Sequence, residues 1–191
     1  MKKCIKIIPS ACLLWAMLTS VSAHELQSNR ATLVLRDDQY LTLSLFVDYT
    51  GVLHKVLAPQ QPLEAFVLMY AAMTLQAFQA QLLSAQRKLQ GSTAVVLHDG
   101  KAASLTQWVW PDVAAVQKLL QQRAMQLVVA PADHSHVAQT EIRAETTSAS
   151  EGDFNSVTLQ LPAELQDVLV VSYKPKQVWA SPGKASPTVR F

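Results

Sequence analysis

Residues 31–48 read ATLVLRDDQYLTLSLFVD, and their alternation sets the fold class. Leu33, Leu35, Leu41, Leu43, Leu45 and Val47 share one parity, while Thr32, Arg36, Thr42, Ser44 and Asp48 occupy the other. A period of two puts successive side chains on opposite faces of a strand, so one row meets a core and the other meets water. The polar break Asp37-Asp38-Gln39 divides the run into the two arms of a hairpin.

Downstream, Pro62 suits a helix start and Gly91 a helix stop, and no breaker lies between them. The pattern predicts one long helix over Leu63–Gln90, roughly 40 Å in length at 1.5 Å per residue. Phe66 to Leu75 is apolar around nearly the whole circumference, so the first half is expected to be the more deeply buried. As a membrane span that stretch is too short, bracketed as it is by Glu64, Gln76 and Gln79.

Asp99-Gly100 then predicts a two-residue turn between strands at Thr93–His98 and Ala102–Val109. A shorter helix restarts at Pro111, with Asp112 at its positive end and Val113, Val116, Leu120 and Leu127 at helical spacing. Met125 to Val129 suits either that helix or a strand, and residues 125–191 are expected to form a β-rich C-terminal part. Strands are expected at Val137–Thr146, Phe154–Leu161, Val168–Tyr173, Gln177–Ala180 and Thr188–Phe191, with a mobile loop over Thr146–Asp153. This order describes an α+β protein: an antiparallel sheet built from hairpins, one long and one shorter helix, and an all-β C-terminal third.

The N-terminus carries an address. Lys2, Lys3 and Lys6 precede an apolar run from Ala11 to Leu18, and Val21-Ser22-Ala23 supplies small residues for signal peptidase. Residues 1–23 therefore read as a cleavable signal peptide and residues 24–191 as a single domain, with no transmembrane span expected in the mature chain. Cys4 and Cys12 both fall in the leader, so the mature chain has no disulfide, thiolate metal site or thiol nucleophile. Neither Asn29-Arg-Ala nor Asn155-Ser-Val is a glycosylation acceptor, which favours a bacterial periplasm.

Three of the 16 Lys+Arg lie in the leader and none of the 14 Asp+Glu does, leaving 13 bases against 14 acids and a net charge of −1. Such a balance offers nucleic acid no general attraction, and no nucleic-acid partner is expected.

Chemistry-bearing patterns are sparse. Cleavage after Ala23 would make His24 the first residue, whose α-amino nitrogen and imidazole can chelate one copper ion. Asp133-His134-Ser135-His136 sets two imidazoles two residues apart, a donor pair suited to copper or zinc. Against this, the stretch also reads as a solvated turn. His54 and His98 sit beside apolar residues, which suits strand-edge or core positions rather than ligands. Trp108 and Trp110 share one strand face and, with Trp179 and Tyr173, offer aromatic area for a sugar or peptide, although burial in a core is the commoner use of tryptophan.

No Gly-x-Ser-x-Gly elbow, His-Glu-x-x-His pair, phosphate loop or dinucleotide fingerprint occurs. The carboxylates at Asp37-Asp38, Asp48, Glu151 and Asp153 fall in expected turns or strand ends, and Lys174-Pro175-Lys176 reads as a basic turn. No catalytic residue is assigned and no cofactor is evident beyond the copper or zinc alternative. The expectation is an exported, periplasmic, non-enzymatic binding or accessory protein of unknown protein or small-molecule partner, with the apolar helix and the sheet face as contact surfaces. Two alternatives are a copper- or zinc-binding accessory protein using His24, His134 and His136, and a hydrolase with an unfamiliar site.

Overall fold

A computed structural model describes residues 29–129, 138–148 and 153–175. The opening hairpin forms as its alternation requires, with β1 (Asn29–Arg36) antiparallel to β2 (Tyr40–Val47) and Leu33 opposite Leu43. Asp37 and Asp38 turn the chain with positive φ angles of 48° and 58°, a conformation aspartate tolerates better than most side chains. Ala31, Leu33, Leu41, Leu43, Leu45 and Val47 form the buried row. Leu35, nearest the turn, is only half-buried.

Asp48 ends β2 and starts α1 (Tyr49–Leu57), a helix unforeseen from the sequence. Its Oδ1 accepts a hydrogen bond from the Gly51 backbone at 3.0 Å, satisfying one of the free donors of the first turn. A methyl group at Gly51 would lie 2.6 Å from the other carboxylate oxygen, so glycine leaves the cap its room. The same carboxylate meets Arg123 at 3.6 Å. His54 therefore lies on a helix and not on a strand edge.

The long helix expected over Leu63–Gln90 is two helices, α2 (Leu63–Ala71) and α3 (Leu75–Gly91). Pro62 stands just outside α2 as its N-cap. Thr74 breaks the path with an extended backbone, and its hydroxyl accepts from the Ala77 N–H at 3.3 Å to cap α3. Carbonyls released at the break find partners on a later helix, α4 (Val113–Val129), where Gln117 Nε2 donates to Met73 O at 2.7 Å and Gln121 Nε2 to Ala71 O at 3.4 Å. The break is thus stabilised by tertiary contacts that no local pattern announces.

The first half is the more deeply buried of the two, as expected, but not around its whole circumference. In α2 only Phe66, Val67 and Tyr70 are buried, and Leu68 and Met69 face outward, because one side of a uniformly apolar helix is covered. α3 follows ordinary amphipathic spacing and buries Phe78, Leu82, Ala85 and Leu89. Among the described residues, no helix is long and apolar enough to cross a membrane.

β3 (Ala94–Leu97) and β4 (Ala102–Ala103) meet through a three-residue loop, His98-Asp99-Gly100, and not the two-residue turn expected. Gly100 N donates to Leu97 O at 2.9 Å and Leu97 N to Lys101 O at 2.8 Å, with Gly100 at φ 84°. The following strand is shorter than read, since the chain leaves this sheet after Ala103 and β5 (Thr106–Val109) joins the other one. Asp112 Oδ2 then accepts from Ala114 and Ala115, and α4 runs through Val129, settling Met125–Val129 as helix within a region expected to be β-rich.

Beyond α4 the described segments are β6 (Thr140–Thr147), β7 (Val157–Gln160), a 3-10 turn (Ala163–Leu165) and β8 (Val168–Tyr173). The expected strands at Gln177–Ala180 and Thr188–Phe191, and the centre of the expected loop at 149–152, lie outside the described residues. The architecture is α+β. One sheet has the order β5-β6-β2-β1-β8 and a smaller one β4-β3-β7. All pairings are antiparallel except β1 with β8, which is parallel. Buried side chains from the inner row of the large sheet, the four helices and Val95 of β3 form one core cluster.

Candidate functional site: an arginine-bearing sheet face

Register places the second parity of β1, β2 and β6 on the outer face of the large sheet. Arg30 lies opposite Phe46, Thr32 opposite Ser44 and Val34 opposite Thr42 on β2. On β6, Glu141, Arg143 and Glu145 stand opposite those same β2 residues, Phe46, Ser44 and Thr42. β8 adds Leu169, Val171 and Tyr173 opposite Arg30, Thr32 and Val34. The result is a shallow groove of about 470 Å³ bordered by Arg30, Arg36 and Arg143, with Phe46, Val171 and Tyr173 as its apolar lining.

Strand geometry sets the spacing of the three arginines. Arg30 and Arg36 share a strand six residues apart, roughly 20 Å at 3.3 Å per residue. Arg143 is two strands away from Thr32, roughly 10 Å across the sheet. All three are exposed. Ion pairs among the described residues join Lys88 to Glu164, Lys101 to Asp99, Arg123 to Asp48 and Lys174 to Asp38, and none includes Arg30, Arg36 or Arg143.

The two carboxylates on the face are engaged by hydroxyls instead. Tyr40 Oη donates to Glu145, and Ser44 Oγ donates to Glu141 at 2.9 Å. The Glu145 hydrogen bond raises the Tyr40 phenol above its ordinary value, with partial desolvation and the Glu145 charge acting in the same direction and Arg36 and Arg143 opposing it. Arg30 lies 4.5 Å above the Phe46 ring, a cation–π contact that steadies the guanidinium while leaving its N–H groups free of a carboxylate. Chemically, the face offers unpaired planar forks beside an apolar strip.

His24, His134 and His136, the metal-ligand candidates, lie outside the described residues. Among the described residues no three His, Cys, Asp or Glu side chains come together as a metal site. His54 Nε2 sits 2.7 Å from Gln61 O with its ring 5.2 Å from Phe66, and His98 is exposed in the β3–β4 loop. Trp108 and Trp110 stack on each other at 5.3 Å and pack half-buried against the core, and Trp108 Nε1 donates to Leu105 O. They are separated from Tyr173, which stands on the outer face. Lys174 of the basic turn bonds Asp38 of the first hairpin, and Asp153 accepts from Ser148.

No protein-family model, curated protein or solved structure matches this chain. What the face can do follows from its own chemistry. Of its three arginines the sequence pattern set Arg36 on the wet row. Arg30 and Arg143 went unnoticed, because their place beside it depends on β1, β2 and β6 being in register.

Proposed function

We propose that this chain is an exported, periplasmic, non-enzymatic binding or accessory protein, and that the outer face of its five-stranded sheet is the contact surface. The observation that carries the reading is the set of three exposed guanidiniums without a carboxylate partner among the described residues, beside exposed Val171 and Tyr173. Charged side chains on a wet sheet face ordinarily pair across strands. Here Glu141 and Glu145 bond to Ser44 and Tyr40, which leaves the arginines available to a ligand. The apolar strip on β8 adds contact area that favours burial.

The test is site-specific photo-cross-linking in cells. A photoreactive residue at Thr32 or Ser44, in the groove, is expected to give a discrete adduct. The same residue at Gln122, on the exposed side of α4, is expected to give none. Adducts from Gln122 alone would move the contact surface to the helices. Fractionation with N-terminal sequencing checks the compartment: a first residue of His24 in the periplasmic fraction supports export, and Met1 in the cytosol overturns it.

A further inference from the structure

The geometry points to an acidic, extended peptide segment as the ligand of the outer groove, its carboxylates held by Arg30, Arg143 and Arg36 and its apolar side chains against Val171 and Tyr173. This rests on the outer face being the contact surface. An arginine guanidinium is a planar fork that accepts a carboxylate in two parallel hydrogen bonds. Three such forks without a carboxylate partner among the described residues make an electrostatic complement to several carboxylates at once.

Spacing argues for an extended ligand. The Cα positions of Arg30 and Arg143 are separated by about 12 Å, and Arg36 lies roughly 20 Å from Arg30, by strand and sheet spacings. A single small anion cannot reach all three. An extended peptide advances about 6.6 Å every two residues, so carboxylates four residues apart on one face match the first pair. Its other contacts fall on Phe46 beside Arg30 and, on the far side of β1, on Val171 and Tyr173 of β8, for which a purely charged ligand has no use.

The face disfavours a nucleic-acid strand. Glu141 and Glu145 flank Arg143 on the same strand row, so a continuous phosphate backbone would meet two negative charges around one positive. A peptide places its carboxylates at discrete positions and sets neutral side chains between them.

The experiment uses fluorescence anisotropy with the full mature chain and a labelled decapeptide carrying glutamate at positions 1, 5 and 9, leucine at positions 3 and 7 and serine elsewhere, so that both kinds of side chain share one face of the extended peptide. A decapeptide with glutamine replacing glutamate is the uncharged control. Binding of the acidic peptide, weakening at high salt and falling roughly tenfold in the Arg30→Gln/Arg143→Gln double variant, is the result expected for two exposed charge pairs. Arg87→Gln, on α3 away from the groove, should leave affinity unchanged. Should the double variant melt early, Arg36→Gln gives the same reading at a residue without the Phe46 stack.

Equal binding of the glutamine peptide, or no loss in the arginine variants, overturns the inference. Competition by glutarate at concentrations comparable to the peptide would show a small-anion site and also overturn it, as would tighter binding of a single-stranded oligonucleotide. A cross-link from Thr32 with no glutamate-dependent binding rejects the ligand class and leaves the contact surface standing. Loss of both rejects the surface itself.

Discussion

The Asn29 carboxamide fastens Asp48 to the start of β1: its Oδ1 accepts from the Asp48 N–H at 2.9 Å while its Nδ2 donates to Leu165 O at 2.5 Å. One side chain thus joins the first strand, the cap of α1 and the 3-10 turn that leads into β8. Asn29→Ala removes both bonds and strands a partly buried donor and acceptor, at a cost of about 1–3 kcal/mol. Urea unfolding of the purified variant measures it, and a midpoint equal to wild type would contradict this role.

Tyr49 supplies a pH signature. It is 1% exposed and its buried hydroxyl meets no hydrogen-bond partner among the described residues, and burial pushes its phenol up to about 12, with the nearby Gln86 side chain acting in the opposite direction. Because the folded value lies above the unfolded 10, the neutral form's contribution is complete below pH 10 and disappears as pH rises toward 12. Its size is roughly 2–3 kcal/mol. Tyr49→Phe should remove that alkaline loss and, at neutral pH, stabilise by about 1 kcal/mol by deleting an unsatisfied buried hydroxyl. Thermal melts across pH 7–12 test both points.

The α2–α3 break depends on Gln117, which is 8% exposed and donates to Met73 O. Gln117→Met keeps volume and apolar contact but leaves that carbonyl without the donor, costing about 1–2 kcal/mol. Amide exchange should quicken first around Met73 and Thr74. Uniform quickening over the whole chain would mean that the glutamine does not act locally.

Gln166 closes the 3-10 turn with φ 57° and ψ −144°, a region essentially reserved for glycine. Gln166→Gly should therefore stabilise the fold by about 1 kcal/mol despite glycine's extra freedom in the unfolded chain. A lower melting temperature for this variant would show that the side chain makes a compensating contact.

The sequence conveyed those elements whose physics is local. The β1–β2 hairpin was readable because six apolar residues of one parity flank Asp37-Asp38, and α4 because Asp112 follows Pro111 ahead of regularly spaced apolar residues. The Leu63–Gln90 helix misled because Ala72 and Met73 continue an apolar run without glycine or proline. Thr74 was the available clue, as a capping residue inside the expected helix. α1 was hidden by Gly51 and by the β-branched Thr50, Val52 and Val56, which favour strands, although Asp48 was a recognisable cap. Most of the arginine face was hidden for another reason. Arg143 reaches its neighbours through a strand pairing between β2 and β6, and nothing near residue 143 encodes that register.

The parallel match of Asn29 with Val168 has a bearing on biosynthesis. Until the ribosome has made β8, the first hairpin exposes one unsatisfied ladder of amides and carbonyls, and closing it requires nearly the whole length of the polypeptide. A nascent or truncated chain ending before Val168 should consequently cluster with its own kind, whereas one reaching Tyr173 can shield that flank by itself.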